Sequence, residues 1–206
     1  MPRQATVTES PRSKRGLILS AAVESFGDDG FELTKWASVA DKVGIGQTAL
    51  YHYFESKVHC LLTIMSTELE RSASRFERVV SVEDAPVDQL RAAVRAAYDV
   101  TPQEVLQMRI LQSHMDLLAT PRQSEREEAE RQHARELVRK VEENWTGLVK
   151  RGIESGDFAD RDPEQTSRAV LALVVSVWRW YRTGGPTTLE EIRDFISDAV
   201  LRLVGP

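Results

Sequence analysis

Tyr51, His52, Tyr53 and Phe54 stand in four consecutive places, just after the turn Gly44-Ile45-Gly46 and the run Gln47-Thr48-Ala49. Together these side chains offer phenol hydroxyls, an imidazole, an amide and a small hydroxyl. A helix so short cannot bury every ring, so some of them face water or a partner. Leu50 and Phe54 are four apart and share a face, which makes them the inward anchor. Gln47, Ala49, Tyr51 and His52 then point outward, with Tyr53 at the boundary. A glutamine amide pairs with the edge of adenine, and the methyls of Thr48 and Ala49 suit the methyl of thymine. Tyr51, His52 and Lys57 have the reach and polarity to hold phosphate oxygens. Thr34 and Lys35, at the start of the preceding helix, add a hydroxyl, an ammonium and free backbone N–H groups for another phosphate. The chemistry is that of a rod laid in the major groove of a duplex.

Other constellations are weaker. Glu130-Arg131-Gln132-His133 is a Glu-x-x-His, the spacing of di-metal carboxylate sites. Such sites need a second copy and two further inward glutamates. His52, His59 and His114 have no glutamate three residues earlier, so the second copy is missing. His59 and Cys60 are adjacent, and a helix sends neighbours to different faces, so they make no nucleophile–base pair. No phosphate-binding glycine loop and no nucleophile elbow occur. No enzyme, cofactor or metal site is expected.

The elements that must position these residues are helices. Apolar residues recur at helical spacing throughout, and no alternating strand pattern of useful length occurs. Ser10-Pro11 is a cap and first-turn proline for a helix whose face holds Ile18, Ala22 and Phe26. Thr34 is the expected cap of a second, short helix carrying Trp36, Val39, Ala40 and Val43. Gly44 ends it, and a third runs from Gln47 to about Phe54. Further helices are expected at about 56–79, 86–99, 102–119, 122–155, 163–183 and 188–203, with Pro86, Pro102, Pro121 and Pro163 near their ends. The continuous apolar run VLALVVSVW reads as a buried helix because its flanks keep the helical register. Residues 1–9 read as a disordered arm.

Composition sets the bounds. The chain has 206 residues, 41% hydrophobic and 29% charged, which is enough to bury a core. A single cysteine, Cys60, excludes an internal disulfide and fits a reducing cytoplasm. No run of about eighteen apolar residues offers a membrane span. Net charge is −5, yet residues 1–60 hold 7 basic and 7 acidic side chains, so the first part is neutral. Arg12, Lys14 and Arg15 cluster there, and a basic face is what nucleic acid requires.

Residues 12–62 resemble the DNA-binding domain of the TetR family of bacterial transcriptional repressors. The resemblance is carried by Thr34, Val39-Ala40, Gly44-Ile45, Leu50-Tyr51-His52-Tyr53-Phe54 and Ser56-Lys57, with Ile18-Leu19, Ala21-Ala22, Phe26 and Gly30 upstream. The family usually has Ser or Thr at the position of Gly46, often Gly at Thr48, and commonly Thr at Ala49; these departures bear on the operator sequence and not on the mode of binding. The resemblance implies an all-α fold of about nine helices. Residues 10–55 would be a three-helix DNA-binding domain, and 56–206 a helical effector-binding and dimerisation domain. It implies a homodimer reading a palindromic operator, with recognition helices about 34–36 Å apart. The last two helices would pair, through Leu173, Val177, Tyr181, Ile192, Phe195, Ile196 and Val200. The middle helices would hold an apolar or amphipathic small-molecule effector among Met65, Leu69, Tyr98, Met108, Met115, Trp145 and Trp178. Arg109, His114 and Tyr98 would meet its polar end. The competing reading is a helical protein-interaction module, whose binding would lack the steep salt dependence of DNA contact.

Overall fold

The computed structural model describes residues 11–81 and 83–205, with side chains from Lys14 onward. The expected arm at 1–9 and the Ser10 cap lie outside the described residues. Among those described, nine α-helices and one 3₁₀ turn form the chain, and no strand occurs. They are α1 (Pro11–Asp28), α2 (Trp36–Val43), α3 (Gln47–Tyr53), α4 (Lys57–Val79), α5 (Pro86–Tyr98), α6 (Pro102–Ser113), α7 (Glu125–Glu154), α8 (Pro163–Trp180) and α9 (Leu189–Val204). The 3₁₀ turn spans Met115–Leu118. No helix among the described residues is long and apolar enough to cross a membrane.

The helix starts follow their local chemistry. Pro86, Pro102 and Pro163 sit in first turns, where the missing N–H is no loss. Ser56, Ser124 and Asp162 accept a first-turn N–H through their side chains. Thr101 with Glu104, and Thr188 with Glu191, form reciprocal capping boxes.

Two expectations are corrected. α2 begins at Trp36 with Lys35, not Thr34, in the cap position, and no side chain caps it. The helix expected at 102–119 breaks after Ser113. There the His114 N–H bonds Leu111 O at 3.2 Å, while its imidazole takes Ile110 O at 2.8 Å. The ring thus occupies the carbonyl that the next helical N–H would have used, and a 3₁₀ turn follows.

Two apolar clusters form the interior. One joins α1, α2 and α3 to the first half of α4, with Ile110, Leu111 and Leu118 and the Ala134–Leu137 segment of α7. The other joins the second half of α4 to α5, α6, α7, α8 and α9 around Trp145 and Trp178. α4 runs through both and links the head to the body.

Candidate nucleic-acid interface and internal cavity

α2 and α3 meet through a turn that only a glycine makes easily. Gly44 adopts φ +70°, in the left-handed region. Its N–H and that of Ile45 return to Asp41 O (3.1 Å) and Ala40 O (3.0 Å), closing the end of α2. Gly46 then takes an extended conformation and starts α3 without a side-chain cap. Within α3 and its cap, Leu50 and Phe54 are fully buried. Trp36 meets Phe54 edge-on at 6.5 Å, and the Arg15 guanidinium lies 4.8 Å from the Phe54 ring centre. Gln47, Thr48, Tyr51 and His52 are exposed, with Ala49 and Tyr53 half-buried. The four exposed residues share one face, so the aromatic run divides into an inward brace and an outward polar surface. Lys35 is exposed at the start of α2.

Two sequence-predicted contacts are already committed elsewhere. Thr34 is buried, and its hydroxyl donates to Ser25 O (3.0 Å) and Gly30 O (2.8 Å), while its N–H bonds Gly30 O. It fastens the loop after α1 and has no hydroxyl left for phosphate. Lys57 turns back under the same loop. Its ammonium donates to Phe31 O (2.6 Å) and Thr34 O (3.1 Å), reaches Glu32 O (3.3 Å), and lies 4.4 Å from the Phe31 ring centre. The three carbonyls and the ring hold it inside the head.

The second feature is a cavity of about 80 Å³ enclosed by α4, α5, α6, α7 and α8. Of the residues expected around an effector, Leu69, Met108, Trp145 and Trp178 line it. Phe76 and Trp145 pack at 5.3 Å across one wall. Tyr98 stands behind another wall, 5.4 Å from the Trp178 ring, with its hydroxyl donating to Val174 O at 2.8 Å. Burial pushes the Tyr98 phenol up, so it stays neutral. The other expected members are elsewhere. Met65 is fully buried in the cluster that supports the head. His114 meets Phe31 edge-on at 5.4 Å, and Met115 packs on that same cluster. Arg109 is half-buried and lines none of the cavity. His114 and Met115 lie beyond the end of α6 at Ser113, and Met65 lies on the half of α4 that packs on the head. The polar groups that do line the cavity are Ser72, Arg75, Gln112 and Asn144. In sequence Arg75, Gln112 and Asn144 look like solvent-facing positions, whereas Ser72 falls at helical spacing with Leu69 and Phe76.

The faces of α8 and α9 also differ from expectation. Val177, Tyr181, Ile192, Ile196 and Val200 are buried in the interior of the single chain. Leu173 is half-buried against the same cluster. What remains outside is Phe195, 72% exposed, and Trp180, 55% exposed. Ala169, Ala172 and Ser176 are exposed at spacings that put them on one face with Trp180. Glu164, Arg168, Ser176 and Arg179 are exposed on the same side of α8 as Ala172, so polar residues mark its outer face.

The metal-like motif does not assemble. Glu130 accepts a hydrogen bond from the Ser66 hydroxyl, and His133 is exposed. Among the described residues no group of three or more His, Cys, Asp or Glu side chains could hold a metal ion.

A helix–turn–helix head with a polar outer face, joined to a helical body with an internal cavity, is the build of a ligand-responsive transcriptional regulator. Comparison with known proteins agrees. Residues 18–64 match the family described as bacterial regulatory proteins, tetR family, and residues 83–204 match the tetracyclin repressor-like C-terminal domain. The chain belongs to the TetR family. It is 29% identical over 182 residues to the transcriptional repressor KstR2 of Mycobacterium tuberculosis, covering 87% of each chain. The TetR-family regulator PfmR of Thermus thermophilus has a similar structure, with TM-score 0.78 and 28% identity over 90% of this chain and 97% of that one. AibR, solved with isovaleryl coenzyme A and operator DNA, shares the fold at TM-score 0.74 and 21% identity, covering 90% and 97%.

Proposed function

We propose that this protein is a dimeric transcriptional repressor that grips a palindromic operator through α3 and lets go when an apolar or amphipathic small molecule fills the cavity. The observation that carries this is the division of α3. Leu50 and Phe54 are fully buried, while Gln47, Thr48, Tyr51 and His52 are exposed on the opposite side. Gln47 and Thr48 would read base edges, with Ala49 offering its methyl, and Tyr51, His52, Tyr53 and Lys35 would hold phosphates. The dimer contact is assigned to Phe195, Trp180 and the small residues beside it, the large apolar surface that α8 and α9 leave outside. Residues 10–55 serve as the reading head and 56–206 as the sensing and pairing body. The protein acts in the cytoplasm and carries out no catalysis.

Effector binding would lower operator affinity by favouring a spacing of the two heads that misses successive grooves. Such coupling is typically about 1–3 kcal/mol. The KstR2 relative is a repressor, and the AibR structure holds both an acyl thioester and DNA, which supports a small molecule with an apolar part. The test is to select bound sites from random duplexes. A palindrome is expected, with an affinity that falls steeply as salt rises. Binding without sequence preference, or none at low salt, would remove the reading.

A further inference from the structure

The cavity has one charged side chain in its lining, Arg75. Arg75 also bridges two carboxylates. One Nη reaches Glu68 Oε1 on its own helix at 3.3 Å, and the other donates to Glu104 Oε1 on α6. Beside it, Arg71 donates to Gln107 on α6 at 2.6 Å. The positions 68, 71 and 75 of α4 thus form a polar seam with 104 and 107 of α6, along the edge of the cavity.

The seam is short of positive charge where it matters. Glu68 is wholly buried, and its Oε2 has no hydrogen-bond partner, with Arg71 at 3.5 Å as the nearest cation. The charged groups that act on Glu68 are Arg75 and Arg71 of α4 and Glu104 of α6. Glu104 competes for Arg75, and it is held in addition by the Thr101 N–H at 2.7 Å. Burial, only partly offset by Arg75 and Arg71, pushes the Glu68 carboxyl up to about 7. The rest of the polar lining can donate. Ser72 brings a hydroxyl, Gln112 an amide, and Asn144 a buried amide nitrogen near Glu77.

From this geometry we propose that the effector carries a carboxylate-class anion on an apolar body, that the anion takes Arg75 away from Glu68 and Glu104, and that Glu68 takes up a proton as it does so. The proposal rests on the cavity being the effector site. An apolar body fits the wall of Leu69, Phe76, Met108 and Trp178. The anion accepts from the Arg75 guanidinium. Glu68 then loses the closer of its two cations, and a buried carboxylate without its partner is strongly disfavoured until protonated. One negative charge enters and one is neutralised, so the site keeps its charge balance. α4 and α6 are left joined on this side by Arg71 and Gln107 alone, and the seam loosens. Affinity for the anion therefore falls as pH rises above neutrality.

The probes are linear carboxylates from butanoate to decanoate, each beside the alcohol of equal length. Binding is read from the fluorescence of Trp145 and Trp178 in the cavity wall, and proton uptake from binding heats in two buffers of different ionisation enthalpy. The carboxylate is expected to bind at least tenfold more tightly than its alcohol, with net proton uptake near neutrality. Arg75→Gln should abolish the preference and Arg75→Lys should keep much of it. Glu68→Gln should keep the preference and lose the proton uptake. Should Glu68→Gln misfold, the wild type alone decides, because uptake should fade well below pH ~7, where Glu68 already holds its proton. Equal binding of acid and alcohol, no saturable carboxylate binding, or a preference that survives Arg75→Gln would overturn the proposal. Operator binding measured without any probe tests the repressor reading separately. Alcohols that release operator as well as acids would leave that reading standing and sink this one.

Discussion

Replacing Lys57 by methionine separates two roles that the sequence makes look alike. The lysine follows the recognition helix and reads as a phosphate contact, but its ammonium is turned onto Phe31 O at 2.6 Å and Thr34 O at 3.1 Å, with the Phe31 ring 4.4 Å away. Methionine keeps the apolar stem and removes the charge and donors. A hydrogen bond involving a charged group is worth about 1.5–3 kcal/mol. The bonds share one half-exposed ammonium, so their sum is closer to one such value than to three. Adding about 0.5–1 kcal/mol for the cation over the ring gives a loss of about 2–4 kcal/mol. In a chain of this size that lowers the melting temperature by about 4–16 °C. The assay is thermal unfolding followed by circular dichroism, paired with operator affinity across a salt series. The slope of log affinity against log salt should not change, because no phosphate contact is lost. A side chain on phosphate would do the reverse, leaving the melt alone and reducing the slope by about 0.9 per subunit. An unchanged melt with a shallower slope would refute the clamp.

Tyr51→Ala and His52→Ala should each weaken operator binding several-fold and leave the melt unchanged, because both side chains are exposed; anisotropy with labelled operator checks this. Phe195→Asp combined with Trp180→Asp should yield a folded monomer by sedimentation, with operator affinity lost together with the dimer. Gly152→Ala should destabilise by about 1–3 kcal/mol in a denaturant titration, because a Cβ there would stand 2.1 Å from the Phe158 ring. Glu68 should add a pH term to stability. Its folded value is raised to about 7, above the unfolded value near ~4.3, so its stabilising contribution is complete below the latter and is lost as pH rises through the former. The melt of Glu68→Gln, set against wild type through that window, should lack this decline.

The sequence makes local rules legible and long-range ones obscure. The brace of Leu50 and Phe54 follows from a separation of four, and the stops at Gly44 and the starts at Pro86, Pro102 and Pro163 follow from backbone limits on single residues. Thr34 shows where such rules fail. Its type suits a cap, but carbonyls of Ser25 and Gly30 stand within reach of its hydroxyl in the folded loop, and they win. Lys57 fails likewise, because nothing in the chain order says that the carbonyls of residues 31–34 come within its reach. Arg75 fails for a third reason. A charged residue at its helix position looks solvent-facing, and only the placement of α6 turns that face toward a cavity instead of water. On α8 the run VLALVVSVW taken alone hides the phase, which the polar residues Glu164, Arg168 and Arg179 at its flanks supply.

α4 is not held evenly along its length, and this decides how a signal can travel. Its first half is fastened to α7, where Ser56 donates to Glu127 and Ser66 to Glu130. Just ahead of it, Glu55 accepts from Ser124. Lys57 ties the same stretch to the head. His59 is buried there against Phe54, and burial, aided by Arg126, lowers its pKa and keeps it neutral. This half therefore moves with the head or not at all. The second half meets α7 through the surface ion pair of Glu77 with Lys140 at 2.8 Å, and α6 through the seam of Arg71, Arg75, Glu104 and Gln107, whose bonds are polar and can be exchanged for others. α6 in turn touches α1, with Gln103 donating to Ser20 at 2.7 Å and Leu106 seated against Gly27, where a Cβ would lie only 3.0 Å from it. α6 also supplies Met108, Leu111 and Gln112 to the cavity. A shift of α6 along its seam would thus reach α1 directly, and α1 carries the Arg15 that lies over Phe54 behind the recognition helix. Because close-packed surfaces such as Leu106 on Gly27 do not compress, a small displacement in the cavity wall would arrive at α3 as a rotation of the whole head and not as a deformation of α3 itself.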